Sequence, residues 1–132
     1  MNRPNLFFYS VILCATLFTS SCKKEDKQNK EREELEQLYN QIKDIAESST
    51  CGQNQELKHI AVGAKACGGP TSYLVYSTSI NVTEFETLVL QYNEKQKNYN
   101  NKWGAISDCT IVGPPKSIVC ENGKPKIITN LK

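Results

Sequence analysis

Three zones of different polarity follow one another along the chain. Residues 6–18 form an uncharged, largely apolar run that only Ser10 and Thr16 interrupt. A polar stretch follows, and from Leu35 onward apolar residues recur with the periods of helices and strands. This pattern divides the chain into an N-terminal segment (residues 1–21), a polar tether (residues 22–34) and one small domain (residues 35–132).

The N-terminal segment has the pattern of a secretory signal peptide. Arg3 supplies positive charge before the apolar run, and the small residues Thr19-Ser20-Ser21 close the segment. A membrane-spanning helix needs ~20 apolar residues, so the run over residues 6–18 is too short for one. We therefore expect residues 1–21 to be removed and Cys22 to become the first residue of the mature protein.

The first apolar pattern of the domain predicts a helix over residues 35–46, which Ser48-Ser49-Thr50 would end. Its apolar residues recur every three or four positions, as on one face of a helix: Leu35, Leu38, Ile42 and Ile45, with Tyr39 and Ala46 alongside. The pattern lasts only about two heptads, which is short for a coiled coil. Docking on its own domain is the favoured interpretation, and binding to a partner is the alternative.

The next segment predicts a strand over residues 57–62. Cys67-Gly68-Gly69-Pro70 follows as a turn, because a glycine pair can hold positive φ and Pro70 can open a helix. Residues 71–77 are compatible with both a strand and a short helix. The helix is slightly favoured, because Pro70 can occupy its first position.

The clearest helix opens at Val82. Thr83 and Glu86 have the spacing of a capping box, and Gly104 is the expected C-terminal cap. Only Gln96 interrupts the apolar face between them, which consists of Phe85, Leu88, Val89, Tyr92, Tyr99 and Trp103. We expect its aromatic residues to line the core, with recognition of a partner as the alternative.

The C-terminal part predicts three short antiparallel strands, over residues 110–112, 117–120 and 125–128. The pair Asn122-Gly123 is a strong hairpin signal. Because helices and strands do not alternate regularly, the predicted class is α+β. The expected architecture is two amphipathic helices packed on a small antiparallel sheet and held by disulfides.

The cysteines predict an oxidised fold. Four remain after the signal segment and Cys22 are set aside: Cys51, Cys67, Cys109 and Cys120. An even number in an exported chain indicates disulfides, each worth ~2–4 kcal/mol of stability. Three pairings are open, and the two that close short loops, Cys51–Cys67 and Cys109–Cys120, are favoured. Structural zinc sites usually place cysteines two to four residues apart, which these spacings do not match.

Charge gives no sign of nucleic-acid binding. The chain has 16 basic and 14 acidic residues, and loss of Arg3 leaves the mature protein nearly neutral, with Arg32 as its only arginine. Phosphate and base contacts depend heavily on arginine and on net positive charge. We therefore expect no nucleic-acid partner.

The residues that could carry catalysis do not form a recognisable pattern. His59 is the only histidine, so any Ser-His-Asp or Cys-His mechanism would need it. Glu56 and Asp108 are far apart in sequence, and nothing pairs them. Neither a phosphate-binding loop nor a dinucleotide fingerprint is present. The prediction is a protein without catalytic residues, metal or cofactor, and a small hydrolase is the weakest alternative.

The junction at Cys22 resembles the lipobox of bacterial lipoproteins, in which small residues precede the cysteine that receives the lipid. Thr19 departs from the Leu-like residue that is usual three positions before that cysteine. The run Lys24-Glu25-Asp26 resembles the export signal of surface lipoproteins of the Bacteroidota. Together these resemblances imply a lipid on Cys22, an outer-membrane location and a domain that faces the cell surface.

The second half of the chain is similar to a small uncharacterised group of exported four-cysteine proteins. Four segments carry this similarity: Cys67-Gly68-Gly69-Pro70, Tyr73 to Ser77, Ser107-Asp108-Cys109 and Cys120-Glu121-Asn122-Gly123. The similarity implies a shared fold and no activity.

These observations lead to two functional hypotheses. The first is a membrane-anchored, non-catalytic binding or interaction lipoprotein whose ligand or protein partner is not named by the sequence. The second is an inhibitor of a secreted peptidase or other hydrolase that acts through the loop between Cys109 and Cys120. That loop contains Gly113-Pro114-Pro115-Lys116. A stiff loop lowers the entropy cost of binding, and an exposed lysine is the residue that would enter a trypsin-like pocket.

Overall fold

The computed structural model describes the backbone of residues 19–128 and the side chains of residues 23–128. Most of the predicted signal peptide, residues 1–18, lies outside the described residues, as does the side chain of Cys22. The α+β class is confirmed. The elements in chain order are α1 (Thr19–Ser48), β1 (Leu57–Val62), β2 (Ser72–Ser77), α2 (Val82–Trp103), β3 (Ile118–Glu121) and β4 (Lys124–Ile127).

Helix α1 is much longer than its apolar face. It continues through the polar tether, whose lysine, glutamate and glutamine residues are mostly exposed. These residue types have high helix propensity, and extending an existing helix by one residue is much easier than starting a new one. The tether is therefore a continuation of the helix that docks on the domain.

The two helices pack side by side in antiparallel directions. Ile45 shares a groove with Asn81 and Leu88 near the start of α2, whereas the Tyr39 and Tyr92 rings meet midway with centroids 5.7 Å apart. At the far end the Trp103 indole N–H donates to Glu31, 2.8 Å away. The apolar face of α1 thus docks on its own domain, as the favoured interpretation predicted.

The core lies between this helix pair and a two-stranded antiparallel sheet, β1–β2. Its buried apolar residues come from both helices and both strands: Ile42, Ala46, Val62, Tyr76, Phe85, Val89 and Tyr92. The Tyr76 hydroxyl donates to the Glu86 carboxylate, and burial together with this hydrogen bond raises the pKa of Tyr76. Tyr76 thereby joins the sheet to α2 through both packing and hydrogen bonding.

Residues 71–77 correct the helix that the sequence slightly favoured. Ser72–Ser77 form a strand, paired residue for residue with Leu57–Val62. Tyrosine and valine favour a pleated surface, and β1 supplies the backbone partners that a strand needs. Gly68 and Gly69 have φ of 97° and 81°, as the turn prediction required, but Pro70 leads into a strand.

The start of α2 corrects the predicted capping box. Asn81 is the N-cap, and its side-chain oxygen accepts a hydrogen bond from the Glu84 N–H at 3.4 Å. Thr83 lies inside the helix, and Glu86 is engaged with Tyr76. The other end agrees with the prediction, because Gly104 caps it with φ of 63°.

The C-terminal part is a hairpin with fewer strands than predicted. β3 and β4 pair around Asn122 and Gly123, whose φ angles of 53° and 74° fit a tight hairpin turn. Residues 110–112 form no strand. The hairpin is a second sheet, separate from β1–β2.

Two disulfides are present, as predicted, but the favoured pairing is wrong. Cys51 bonds Cys120, and Cys67 bonds Cys109. Cys51 precedes β1 and Cys67 follows it, and a six-residue strand separates its ends by ~17 Å. The strand disfavours the local pair, and each bridge instead ties the C-terminal part to the first half of the domain.

The hairpin is held against the end of α1. The Cys51 N–H donates to the Gly123 carbonyl at 2.9 Å, beside the Cys51–Cys120 disulfide. The Lys124 ammonium donates to the carbonyls of Glu47 and Ser49 at 2.8 and 3.2 Å. A cation at this position satisfies carbonyls that lack helical partners and complements the helix dipole.

Over residues 19–128, no helix combines the length and the apolar character needed to cross a membrane.

We expect Asn81→Ala to lower the free energy of unfolding by ~1 kcal/mol, because it removes the side-chain acceptor at the start of α2. Thr83→Ala is the matched control and should change stability by less than ~0.5 kcal/mol. Urea unfolding followed by circular dichroism measures both. A larger loss from Thr83→Ala than from Asn81→Ala would contradict the cap seen in the structure.

Candidate interaction surface

The most unusual surface of the domain lies at the C-terminal end of α2. Two irregular segments meet there, residues 63–70 after β1 and residues 105–117 after α2. We call them together the loop surface. Side-chain amides of α2 hold the first segment at Gly63 and Ala64. An ion pair and a disulfide join the two segments to each other.

Three amide side chains of α2 bind the backbone that leaves β1. Asn93 accepts from the Gly63 N–H at 2.6 Å and donates to the Ala61 carbonyl at 3.1 Å. Gln96 accepts from the Ala64 N–H at 2.8 Å, and Asn100 donates to the Ala64 carbonyl at 2.7 Å. Gln96 therefore does not weaken this face of the helix, since it satisfies backbone groups that have no strand partner.

Sequence reasoning missed this amide row. Its signal was present, because Asn93, Gln96 and Asn100 are three and four residues apart and so share one helix face.

Gly63 allows the backbone that leaves β1 to pass close to Thr71. A Cβ built on Gly63 would lie 1.9 Å from the Thr71 hydroxyl oxygen, and its φ is 83°.

Lys65 fastens the second segment to the first. Its side chain is only 9% exposed, and its ammonium donates to the Asp108 carboxylate at 2.7 Å and to the Thr110 carbonyl at 2.8 Å. This hydrogen bond and the positive charge hold the pKa of the Asp108 carboxyl below its ordinary value. The Ser107 hydroxyl accepts from the Ala66 N–H at 3.1 Å, one residue from the Cys67–Cys109 disulfide.

A cleft of about 500 Å³ opens between these contacts. Seven of its twelve lining residues are polar: Lys65, Thr71, Gln96, Asn100, Ser107, Asp108 and Thr110. Several of these groups already bind one another or the backbone, so they hold the segments together. The Thr110 hydroxyl donates to the Asp108 carboxylate at 3.3 Å, and Asp108 in turn accepts from Lys65, so these groups bind one another.

The residues considered for catalysis lie apart. His59 is exposed on β1 with its ring 5.8 Å from Tyr73, and Asp108 is paired with Lys65. Glu56 precedes β1, so the length of that strand, ~17 Å, separates it from the segment that follows Val62. Within residues 23–128, no three His, Cys, Asp or Glu side chains come together as a metal site.

Two isoleucines stand out on the second segment. Ile106 is 96% exposed and Ile111 is 93% exposed, although both flank a stretch fixed by Lys65, Ser107 and Cys109. Large exposed apolar side chains on a backbone held by polar contacts make this segment a candidate contact surface. Ile111 lies in the strand that the sequence predicted over residues 110–112, which does not form, and no sequence pattern marked Ile106.

The predicted binding loop forms the rest of the loop surface. Gly113, Pro114 and Lys116 are exposed, and Pro115 is half-buried. The loop is not closed by one disulfide, as had been expected. Its two ends are instead tied separately, at Cys109 to Cys67 and at Cys120 to Cys51.

The prediction that the aromatic residues of α2 line the core is confirmed for Phe85 and Tyr92 but not for Tyr99 and Trp103, which are half-buried outside it. Tyr92 is buried in the core, and the Tyr99 and Trp103 rings lie 6.4 Å apart beside α1. The Trp103 indole N–H donates to the Glu31 carboxylate. The pKa of Glu31 is lowered, mainly by the hydrogen bond that its carboxylate accepts from Lys102. These aromatic side chains hold the helices together.

Comparisons with models of protein families, with curated proteins and with solved structures each found no match to this chain.

We expect Asp108→Asn to lower the midpoint of thermal unfolding at about pH 7, because it leaves the nearly buried Lys65 ammonium without its carboxylate. The folded-state pKa of Asp108 is depressed, so its contribution is present above the unfolded pKa and is lost as pH falls through the folded one. Wild type and variant should therefore converge at acidic pH. Glu121→Gln, which affects an exposed ion pair with Lys126, is the control. A difference that grows as pH falls would contradict this role.

Proposed function

We propose that this protein is a lipid-anchored, non-catalytic binding lipoprotein of the outer membrane that faces the cell surface and makes its contacts through the loop surface. The observation that carries the binding role is the exposure of Ile106 and Ile111 on a fixed backbone. The lipid anchor rests on the resemblance of the Cys22 junction to a lipobox, and the surface location on Lys24-Glu25-Asp26.

The construction of the loop surface supports binding. Exposed isoleucines contribute nothing to the core, whereas the contacts that fix their segment include the Lys65–Asp108 ion pair and the Cys67–Cys109 disulfide. A surface that is ordered before it meets a partner loses less conformational entropy on binding. The contacts around Ile106 and Ile111 thus keep these side chains ordered and exposed, which favours contact with a partner.

The N-terminal part of α1 supports the export signal. Lys24, Glu25 and Asp26 are all exposed on the helix, and their pattern begins two residues after the expected lipid-bearing residue, Cys22. Export factors that recognise charge need such access.

We expect an epitope tag placed after Lys132 to be lost when intact cells are treated with protease. Replacing Lys24, Glu25 and Asp26 by alanine should protect the tag until the outer membrane is broken, because the surface signal is removed while Cys22 remains. Cys22→Ala is the control for the anchor and should release the protein from the membrane fraction. Protection of the wild-type tag in whole cells would place the domain in the periplasm and contradict surface export.

A second function, inhibition of a secreted peptidase or other hydrolase, is favoured by one observation. The loop over residues 110–119 is tied at both ends by disulfides and carries the exposed Lys116 between them. A loop held in this way can enter an active site without being ordered there first.

We expect Lys116→Ala to abolish inhibition of trypsin-like peptidases if this second function holds, because the lysine is the only basic residue of that loop. Lys43→Ala, an exposed lysine on α1, is the matched control and should leave inhibition unchanged. Rates of peptide hydrolysis measure both. No inhibition by the wild-type protein at about 10 μM would rule this function out.

A further inference from the structure

The loop surface and the anchored end of the chain lie on the same side of the domain. Because α1 and α2 are antiparallel, Glu31 of α1 is level with Trp103, the last residue of α2. The preceding residues of α1 extend beyond that level. The loop surface begins directly after Trp103, at the end from which α1 projects towards Cys22.

The distance from the anchor is short and is set by a helix. Glu31 lies nine positions after Cys22, which corresponds to a rise of about 14 Å along a helix axis. A globular unit of ~100 residues has a radius of gyration of about 13 Å, so a lipid on Cys22 would keep the domain close to the bilayer. If α1 lay oblique to the bilayer, the loop surface would reach the headgroups, whose layer is ~5–7 Å deep.

The chemistry of the loop surface suits a phosphate-rich lipid interface. Ile106 and Ile111 supply exposed apolar side chains. The only carboxylate of this surface, Asp108, is paired with Lys65, whereas Lys116 is exposed and Lys97 adjoins Gly68 and Gly69 at its edge. Interfacial segments combine apolar side chains with lysines that meet anionic headgroups, and the loop surface offers both kinds of group.

We propose that the loop surface docks on the same bilayer that holds the N-terminal lipid, with Ile106 and Ile111 in the interfacial layer and the lysines at the lipid phosphates. This inference rests on the proposed lipid anchor and names the bilayer as the partner of the loop surface. Two isoleucines bind a membrane weakly by themselves. The anchor raises their effective concentration at the bilayer, so the second contact adds to the first.

The test uses the full chain, purified as the lipoprotein and reconstituted into phosphatidylethanolamine and phosphatidylglycerol vesicles with normal or brominated acyl chains. Trp103 is the only tryptophan, so Trp103→Phe gives a dark background. Ile106→Trp in that background places the probe on the loop surface. Leu90→Trp is the matched control, because Leu90 is also exposed, at 65%, but lies more than three turns before the end of α2.

We expect brominated lipid to quench the Ile106→Trp probe about twofold and to leave the Leu90→Trp probe unchanged, since bromine quenches only side chains near the acyl chains. Hydrogen exchange of the wild-type protein is the second measurement and needs no probe substitution. Binding to vesicles should slow the hydrogen exchange of backbone amides over residues 105–112 in the wild-type protein. It should not slow it in the double variant Ile106→Asn/Ile111→Asn.

The outcomes separate this inference from the proposed function. Mass spectrometry that shows lipid on Cys22, together with an unquenched probe at position 106 and unchanged exchange, would overturn membrane docking and leave the loop surface for a protein partner. Equal quenching at positions 106 and 90 would also overturn it, because the contact would then not be specific. Absence of lipid on Cys22 would overturn both the anchor and the docking.

Discussion

The packing of α1 across α2 and the β1–β2 sheet is the interaction on which the rest of the structure depends. Ile42, Val62 and Val89 are fully buried where the three elements meet. The core is small, as expected for a domain of this size, and small cores usually need additional links. Here those links are placed at the two ends of the helix pair, where the irregular segments lie.

Polar contacts and disulfides extend the order of the core outward. At one end Lys124 and the Cys51–Cys120 disulfide hold the hairpin against α1. At the other, the amide row of α2 and the Cys67–Cys109 disulfide hold the loop surface. Both bridges connect the C-terminal part to the first half of the domain, so they constrain the segments that the core does not reach.

The same helix that builds the core also orients the domain. Because α1 runs without interruption from Thr19 to Ser48, any attachment at Cys22 is transmitted to the domain by a helix of fixed length. Its antiparallel packing places the loop surface at that end of the molecule. A binding lipoprotein built in this way would present Ile106 and Ile111 towards the membrane and the hairpin away from it.

Local patterns in the sequence determined the α+β class, strand β1, the docked face of α1, the Gly104 cap and the Asn122-Gly123 turn, because each depends on neighbours a few residues away. The lipobox and export signals are equally local, and they remain predictions. The tertiary structure alone decided the remainder. Residues 71–77 became a strand because β1 lay beside them, and Glu86 left its expected cap for Tyr76. The cysteines paired across the domain because β1 holds Cys51 and Cys67 apart, and Ile111 stayed exposed in a segment that forms no strand. These outcomes depend on distances between segments remote in sequence, which residue spacing does not encode.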